Sequence, residues 1–358
     1  MTTDLDVSNR NDVVRLPIAP PLAWRGPDLK AADWLQILAQ DQLDELMAVP
    51  EVARGRGEGV PDISPEDYRL PAFGPVAALA AERLDKGPGF AVIRGIPGLD
   101  LSLDDLQIVN WLIGLQFGEP VSQRINGVLV GDVREESTKD GGKTSNDKAS
   151  TSLLFHADGS DVTSLMCVRQ APEGGISSLV SSMEIHNVIL AERPDLLELL
   201  YGSFHNAWRG QAYPGARPFY MCPVFSFYRG YLSGRYAESM HVAYEDPDLA
   251  DHVPPLSSDQ REALAFFQEV ATRPDMGISF LLEPGDYLLF NNYVVLHSRA
   301  EFTDGATEDE KRHLLRLWLA PPNPRPLAPE FIERYGPLPE HGLRGGFGGK
   351  SRPGFRGR

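Results

Sequence analysis

The apolar positions change period near residue 120. Before it, Leu35, Leu38, Ala39, Leu43 and Leu46 recur at helical spacing within 29–48, and Pro50 is expected to stop that helix. A second helix is predicted near 75–86 and a short strand at Phe90–Arg94. Ser102, followed three residues on by Asp105, is placed to cap a third helix. These helices, reaching to about 118, read as a scaffold. From about 119 to 325 the texture is short β-like runs with Gly, Pro and Asn between them, at 128–133, 164–168, 177–180, 223–228, 278–282, 287–290 and 314–319. Two helical segments interrupt, near 183–200 and 257–272. Short strands interleaved with turns predict a mainly β sandwich or barrel with flanking helices.

The two ends and one internal stretch depart from this texture. Residues 1–12 are polar and read as a disordered N-terminus, leaving 13–342 as a single domain. Residues 134–150 are polar, contain glycine and lack large apolar groups, so they predict a flexible lid just before the candidate chemistry. The stretch 343–358 is rich in Gly and Arg and predicts a disordered tail.

Charge and cysteine content narrow the class. A formal charge of −16 argues against a nucleic-acid surface and an anionic membrane, although a local basic pocket can still hold a small acid. No apolar run reaches the roughly 18 residues that a membrane span needs. Cys167 and Cys222 cannot form a disulfide framework for a chain of 358 residues, and the N-terminal stretch lacks a basic region followed by an apolar one. A reduced, cytoplasmic protein without a signal peptide is the expectation.

Candidate chemistry begins at Phe155–Ser160. On an extended strand alternate side chains share a face, so His156 and Asp158 would point the same way. That pairing is common by chance. A third group, His297, lies 139 residues after Asp158 at the end of an apolar strand. The intervening strands could return it alongside. Two histidines and one carboxylate are the facial triad of non-haem iron sites, which leaves three positions open for a 2-oxo acid and dioxygen. Further on, Arg312 and Arg316 share one face of a probable strand, away from His313. Guanidinium groups in so apolar an element need anionic partners, and Arg312 is placed to clamp a carboxylate.

The order His-x-Asp, Gly174-Gly175-x-Ser177, a late His297, then Arg312 and Arg316 resembles the TauD/TfdA-type Fe(II)/2-oxoglutarate dioxygenases over about residues 90–325. The strand at 312–319 is more similar to the clavaminate synthase and arginine β-hydroxylase group than to taurine dioxygenase. The resemblance implies a double-stranded β-helix (jelly-roll) core and the co-substrates 2-oxoglutarate and O2. His156, Asp158 and His297 match the Fe(II) ligands, Arg312 the residue that pairs with the distal carboxylate of 2-oxoglutarate, and Ser177, with Ser178 beside it, the hydroxyl that assists. Arg316 matches a residue that often meets the substrate's acid group, and Gln123 a polar substrate contact. The arginine hydroxylases carry Glu where this chain has Asp158, so substrate kinship with them is not implied.

The expected activity is oxidation, by default hydroxylation, of an unactivated C–H in a small acid such as an amino acid or natural-product intermediate. Desaturation or cyclisation would use the same residues. A non-catalytic ligand-binding protein on the same fold predicts damaged metal ligands, and the triad is intact. A zinc or manganese hydrolase or isomerase would have no use for Arg312 and Ser177. No P-loop, GxGxxG before a helix or GxSxG elbow supports a nucleotide-dependent or serine-hydrolase reading.

Overall fold

The computed structural model describes residues 12–134, 150–212, 215–237, 249, 251–336 and 343–347. Two sheets carry the site. The larger orders β1 (Leu35–Ile37), β2 (Phe90–Arg94), β14 (Tyr287–Asn291), β6 (Val162–Arg169), β17 (His313–Ala320) and β3 (Glu119–Pro120), with β4 (Val130–Val133) also paired to β17. The smaller orders β13 (Gly277–Phe280), β8 (Ser177–Ser181), β15 (Val295–Arg299) and β5 (Leu153–His156). Three two-stranded pairs complete the β structure: β7 (Glu173–Gly174) with β16 (Phe302–Thr303), β9 (Ser203–Ala207) with β10 (Phe219–Pro223), and β11 (Phe225–Tyr228) with β12 (Tyr231–Gly234).

Strand alternation decides what faces the site. Along β17, Leu315, Leu317 and Leu319 turn outward into one apolar cluster with helices α2 (Gln40–Arg56), α3 (Gly74–Lys86) and α4 (Leu103–Leu115). Burying each such leucine contributes roughly 1.5–3 kcal/mol. The intervening Leu314 and Arg316 turn into the space between the sheets, opposite Leu179 and His297 of the smaller sheet. The outer side of that smaller sheet, with Val180 and Leu296, packs on α5 (Ser182–Glu192), α6 (Pro194–Leu200) and α7 (Ser258–Ala271). Among the described residues no helix is long and apolar enough to cross a membrane.

Four expectations change. The segment 29–48 is not one helix: a short helix α1 (Ala31–Trp34) leads into β1, which pairs in parallel with β2, and α2 starts only at Gln40. Pro50 does not stop α2, which runs on to Arg56 and closes at Gly57 with a left-handed φ of 71°. Proline inside a helix costs about 3 kcal/mol, and burial of Leu46, Val49, Pro50 and Ala53 along the same face offsets it. The N-terminal scaffold also supplies two strands of the larger sheet. At the other end Leu343–Phe347, expected to begin a loose tail, are packed, with Arg344 and Phe347 buried. The rest of the tail, the N-terminal residues 1–11 and residues 135–149 of the expected lid lie outside the described residues.

Candidate active site

The antiparallel pairing of β15 with β5 sets His297 directly opposite His156, with ring centroids 4.1 Å apart. Asp158 stands two residues beyond the end of β5, in the turn that leads to β6. Its carboxylate oxygens lie 3.9 Å from His156 Nε2 and 4.0 Å from His297 Nε2. One ligand atom from each of the three residues falls within 4.8 Å of the others, the only such group of three among the described residues.

His156 and Asp158 are oriented by hydrogen bonds from behind, whereas His297 is placed by ring packing, its Nδ1 having no hydrogen-bond partner among the described residues. His156 Nδ1 donates to the Leu154 carbonyl at 2.8 Å, which leaves the Nε2 lone pair facing the centre. The ring of His297 lies 4.4 Å from that of Phe290. Asp158 donates its backbone N–H to Asn292 Oδ1 at 2.9 Å. Its Oδ2 accepts from Thr163 Oγ1 and from Trp318 Nε1, both at 3.0 Å. Burial pushes the Asp158 carboxyl up, but Arg316, His297 and His156 outweigh it and hold its pKa at about 2. Burial, reinforced by His156, lowers His297 to about 3. At neutral pH the centre therefore offers one anionic oxygen and a neutral His297 imidazole, a donor set that suits a divalent transition metal.

Arg312, immediately before β17, lines the same cavity as the two histidines. It is 2% exposed, and its Nε and Nη1 have no hydrogen-bond partner among the described residues. Its guanidinium and that of Arg299 both lie against the Phe302 ring, at 5.4 and 4.8 Å from the centroid. Burial, then Arg299, lower the Arg312 pKa to about 10. Ser177, at the start of β8, is buried and lines this cavity too. The glycine pair before it has a steric use, since a methyl on Gly175 would sit 3.1 Å from Arg312 Nε.

Arg316 lies between the two regions. Its Nε donates to Gln123 Oε1 at 2.7 Å, and its Nη1 stands 3.7 Å from Asp158 Oδ1. Gln123 Nε2 in turn donates to the carbonyls of Leu129 and Arg316 at 2.9 and 2.7 Å. Gln123 thus braces Arg316. Both predicted arginines reach the cavity, and His313 turns elsewhere, with Nε2 2.7 Å from Asp132 Oδ1.

Sequence reasoning did not single out Arg299, Trp318, Thr163 or Asn292. Arg299 follows His297 by two on one strand, and Trp318 follows Arg316 by two on another, so alternation could have placed both. Thr163 and Asn292 left no signal, because their roles exist only once β6 and the turn after β14 meet Asp158. Of the other histidines, His186 is buried with Nε2 3.0 Å from the Tyr201 hydroxyl, and His205 lies in β9 against Phe219.

Comparison with known proteins gives a consistent result. Residues 56–318 match the family described as taurine catabolism dioxygenase TauD, TfdA family. FR-33289 synthase of Streptomyces rubellomurinus is 31% identical over 327 residues, covering 88% of this chain and 93% of that protein. The taurine hydroxylase-like protein SAT17 of Stachybotrys chartarum is 27% identical over 342 residues, covering 90% and 87%. Among solved structures, asparagine oxygenase in complex with Fe(II), 2S,3S-3-hydroxyasparagine and succinate superposes with a TM-score of 0.61 at 21% identity, covering 80% of this chain and 93% of that one. The non-haem iron oxygenase OrfP in complex with Fe and alpha-ketoglutaric acid gives 0.59 at 16% identity, covering 80% and 94%.

Proposed function

The chain belongs to the TauD, TfdA family, whose members are non-haem iron dioxygenases dependent on 2-oxoglutarate and O2, and from that premise we propose that His156, Asp158 and His297 hold the Fe(II) while Arg312 receives the distal carboxylate of 2-oxoglutarate. The observation that carries this reading is Arg312: a buried guanidinium with open donors, in the cavity that the two histidines also line. A buried cation without a partner is costly unless a ligand supplies the anion. Ser177 assists from the facing sheet.

Iron with 2-oxoglutarate and O2 supplies the oxidant for an unactivated C–H bond. The protein's own share is positioning. Thr163 and Trp318 fix the Asp158 carboxylate and Asn292 its backbone N–H, Leu154 fixes the His156 tautomer, and apolar Leu165, Leu179, Leu288 and Leu314 keep the cavity dry. Arg316, braced by Gln123, meets the acid group of a small substrate. Amino acids are the first class to test, because asparagine oxygenase and OrfP are crystallised with hydroxyasparagine, hydroxyarginine and homoarginine. Hydroxylation is the proposed outcome.

The test has two arms. Anaerobic protein given Fe(II) and 2-oxoglutarate should develop a weak charge-transfer absorption band, which neither addition produces alone. Aerobic screening of amino acids and related acids should then find one that triggers succinate release. Turnover that survives rigorous iron removal, or that needs no 2-oxo acid, would refute the reading.

A further inference from the structure

The sequence Arg344-Gly345-Gly346-Phe347 looked like part of a loose basic tail, yet it lies against the turn that carries Asp158. Arg344 and Asp161 are each 3% exposed and form a two-pronged ion pair, Nε to Oδ1 at 2.9 Å and Nη2 to Oδ2 at 2.5 Å. Tyr293 donates to the same Asp161 Oδ1 at 3.0 Å. The Gly346 N–H donates to the carbonyl of Gly159, next to Asp158, at 2.8 Å. The Phe347 N–H donates to the Ser122 carbonyl at 2.8 Å, beside the Gln123 that braces Arg316. The ring of Phe347 lies 5.7 Å from that of Trp318, whose indole N–H holds Asp158 Oδ2. Arg334 closes the arrangement, bonding the Gly346 carbonyl at 3.0 Å with its guanidinium 4.5 Å from the Phe347 ring centroid.

The glycines are what permit so close an approach. Gly346 has φ of 70°, and a methyl there would meet the Ser122 carbonyl oxygen at 2.6 Å. Gly345 has φ of 91°, with its missing methyl 3.0 Å from Ser160 Cα. Both positions favour glycine on conformation and on space.

We propose that Arg344–Phe347 is a positioning element for the metal carboxylate: it clamps the turn Asp158–Asp161 from outside the sheets and sets Trp318 against Asp158. The geometry favours this over a merely adhesive tail. Its contacts fall on residues adjacent to Asp158, on its hydrogen-bond donor and next to the brace of Arg316. The inference rests on Asp158 being a metal ligand.

The experiment measures metal affinity apart from turnover. Mn(II) is titrated anaerobically into the full chain, a chain ending at Gly342, and the single variants Arg344→Met, Arg344→Lys and Gly346→Ala, with circular dichroism and melting temperature recorded for each. The clamp predicts Mn(II) affinity at least tenfold weaker in the shortened chain and in Arg344→Met, with a native circular dichroism spectrum. Arg344→Lys, which keeps the charge, should recover most of that loss. Should the shortened chain not fold, Gly346→Ala carries the test, with an expected loss of at least threefold. Variants that melt earlier but bind Mn(II) within twofold of the full chain would overturn the clamp. Asp158→Ala in the same titration separates the two claims. If it too binds Mn(II) normally, the reading of the metal site is what fails; if it alone loses Mn(II), only the clamp fails.

Discussion

The two ends of the cavity are finished to different degrees. At the metal end Asp158 accepts two hydrogen bonds on one oxygen and has its backbone N–H bonded, and His156 is fixed by a carbonyl, with the buried His297 Nδ1 left without a partner among the described residues. At the other end, proposed for the co-substrate, Arg312 is just as buried, yet two of its three guanidinium nitrogens have no partner among the described residues. The first arrangement is preorganised for a cation it would hold throughout. The second, in the proposed function, would receive an anion that arrives and leaves in every cycle, and a permanent partner there would compete with it. Satisfaction of the two buried charged groups, Asp158 and Arg312, therefore separates what the fold itself completes from what, in the proposed function, the ligand completes.

The largest effect should come from breaking the finished end. Asp158→Ala removes the only anionic donor of the triad, and metal affinity should fall by about two orders of magnitude or more, beyond the 10–100-fold typical of losing an outer partner. Anaerobic metal titration measures it. Asp158→Ala should leave the Arg312 end unchanged, so an equal loss of 2-oxoglutarate binding measured without metal would mean the two ends are not separable.

Breaking the unfinished end should cost a comparable amount of ligand affinity and at the same time raise stability. Arg312→Met should weaken 2-oxoglutarate by about 2–4 kcal/mol, because a buried carboxylate loses its charged partner. The same change should stabilise the ligand-free protein. The Arg312 pKa falls from its ordinary 12.5 to about 10 on folding. Folding therefore disfavours the charged form, a cost of roughly 3 kcal/mol at most, fully present at pH 7 and relieved only as pH rises past 10 toward 12.5. The variant's melting temperature should rise by a few degrees without ligand, and 2-oxoglutarate should raise it less than in the parent. A variant that melts earlier than the parent would show that Arg312 already has its anion within the protein.

Between the ends stands Arg316. Arg316→Gln keeps a donor for Gln123 but removes the charge, and substrate-triggered succinate release should fall at least about tenfold while uncoupled 2-oxoglutarate decay persists. Parallel loss of both would assign Arg316 to the co-substrate.

How much of this the sequence disclosed follows from how local each feature is. Residue types that are rare in apolar strands, namely His297, Arg312 and Arg316, stood out against their neighbours, and strand alternation pointed them one way. The strand at Phe90–Arg94 and the helix capped by Ser102 were legible because their signals are local, and the cap forms as expected, with the Asp105 N–H on Ser102 Oγ at 3.2 Å. The misreading of 29–48 has the converse cause: Leu35 and Leu38 fit a helical period, but pairing of β1 with β2, more than 50 residues away, decides the conformation. The docking of Arg344–Phe347 was illegible for the same reason. A glycine-rich basic stretch has no periodicity, and the partner that orders Arg344 is an aspartate 183 residues earlier.

The smallest predicted effect tests whether the metal end is as finished as its hydrogen bonds suggest. Trp318→Phe keeps the aromatic contact with Phe347 but removes the indole N–H from Asp158 Oδ2. Thr163 still donates to that oxygen, so the carboxylate is not stranded. Losing one of two donors to a charged acceptor should cost about 1–2 kcal/mol of metal affinity, between fivefold and thirtyfold. Removing Thr163 as well should cost more than the two single losses together, since Asp158 would then have no side-chain donor on Oδ2 and could rotate. That excess is the quantity to measure, in a double-mutant cycle of Trp318→Phe with Thr163→Val read by Mn(II) titration. Additive losses would mean that the carboxylate is held by the Asn292 bond to its backbone and by the metal alone. In that case the contrast between the two ends would lie in charge and not in hydrogen bonding.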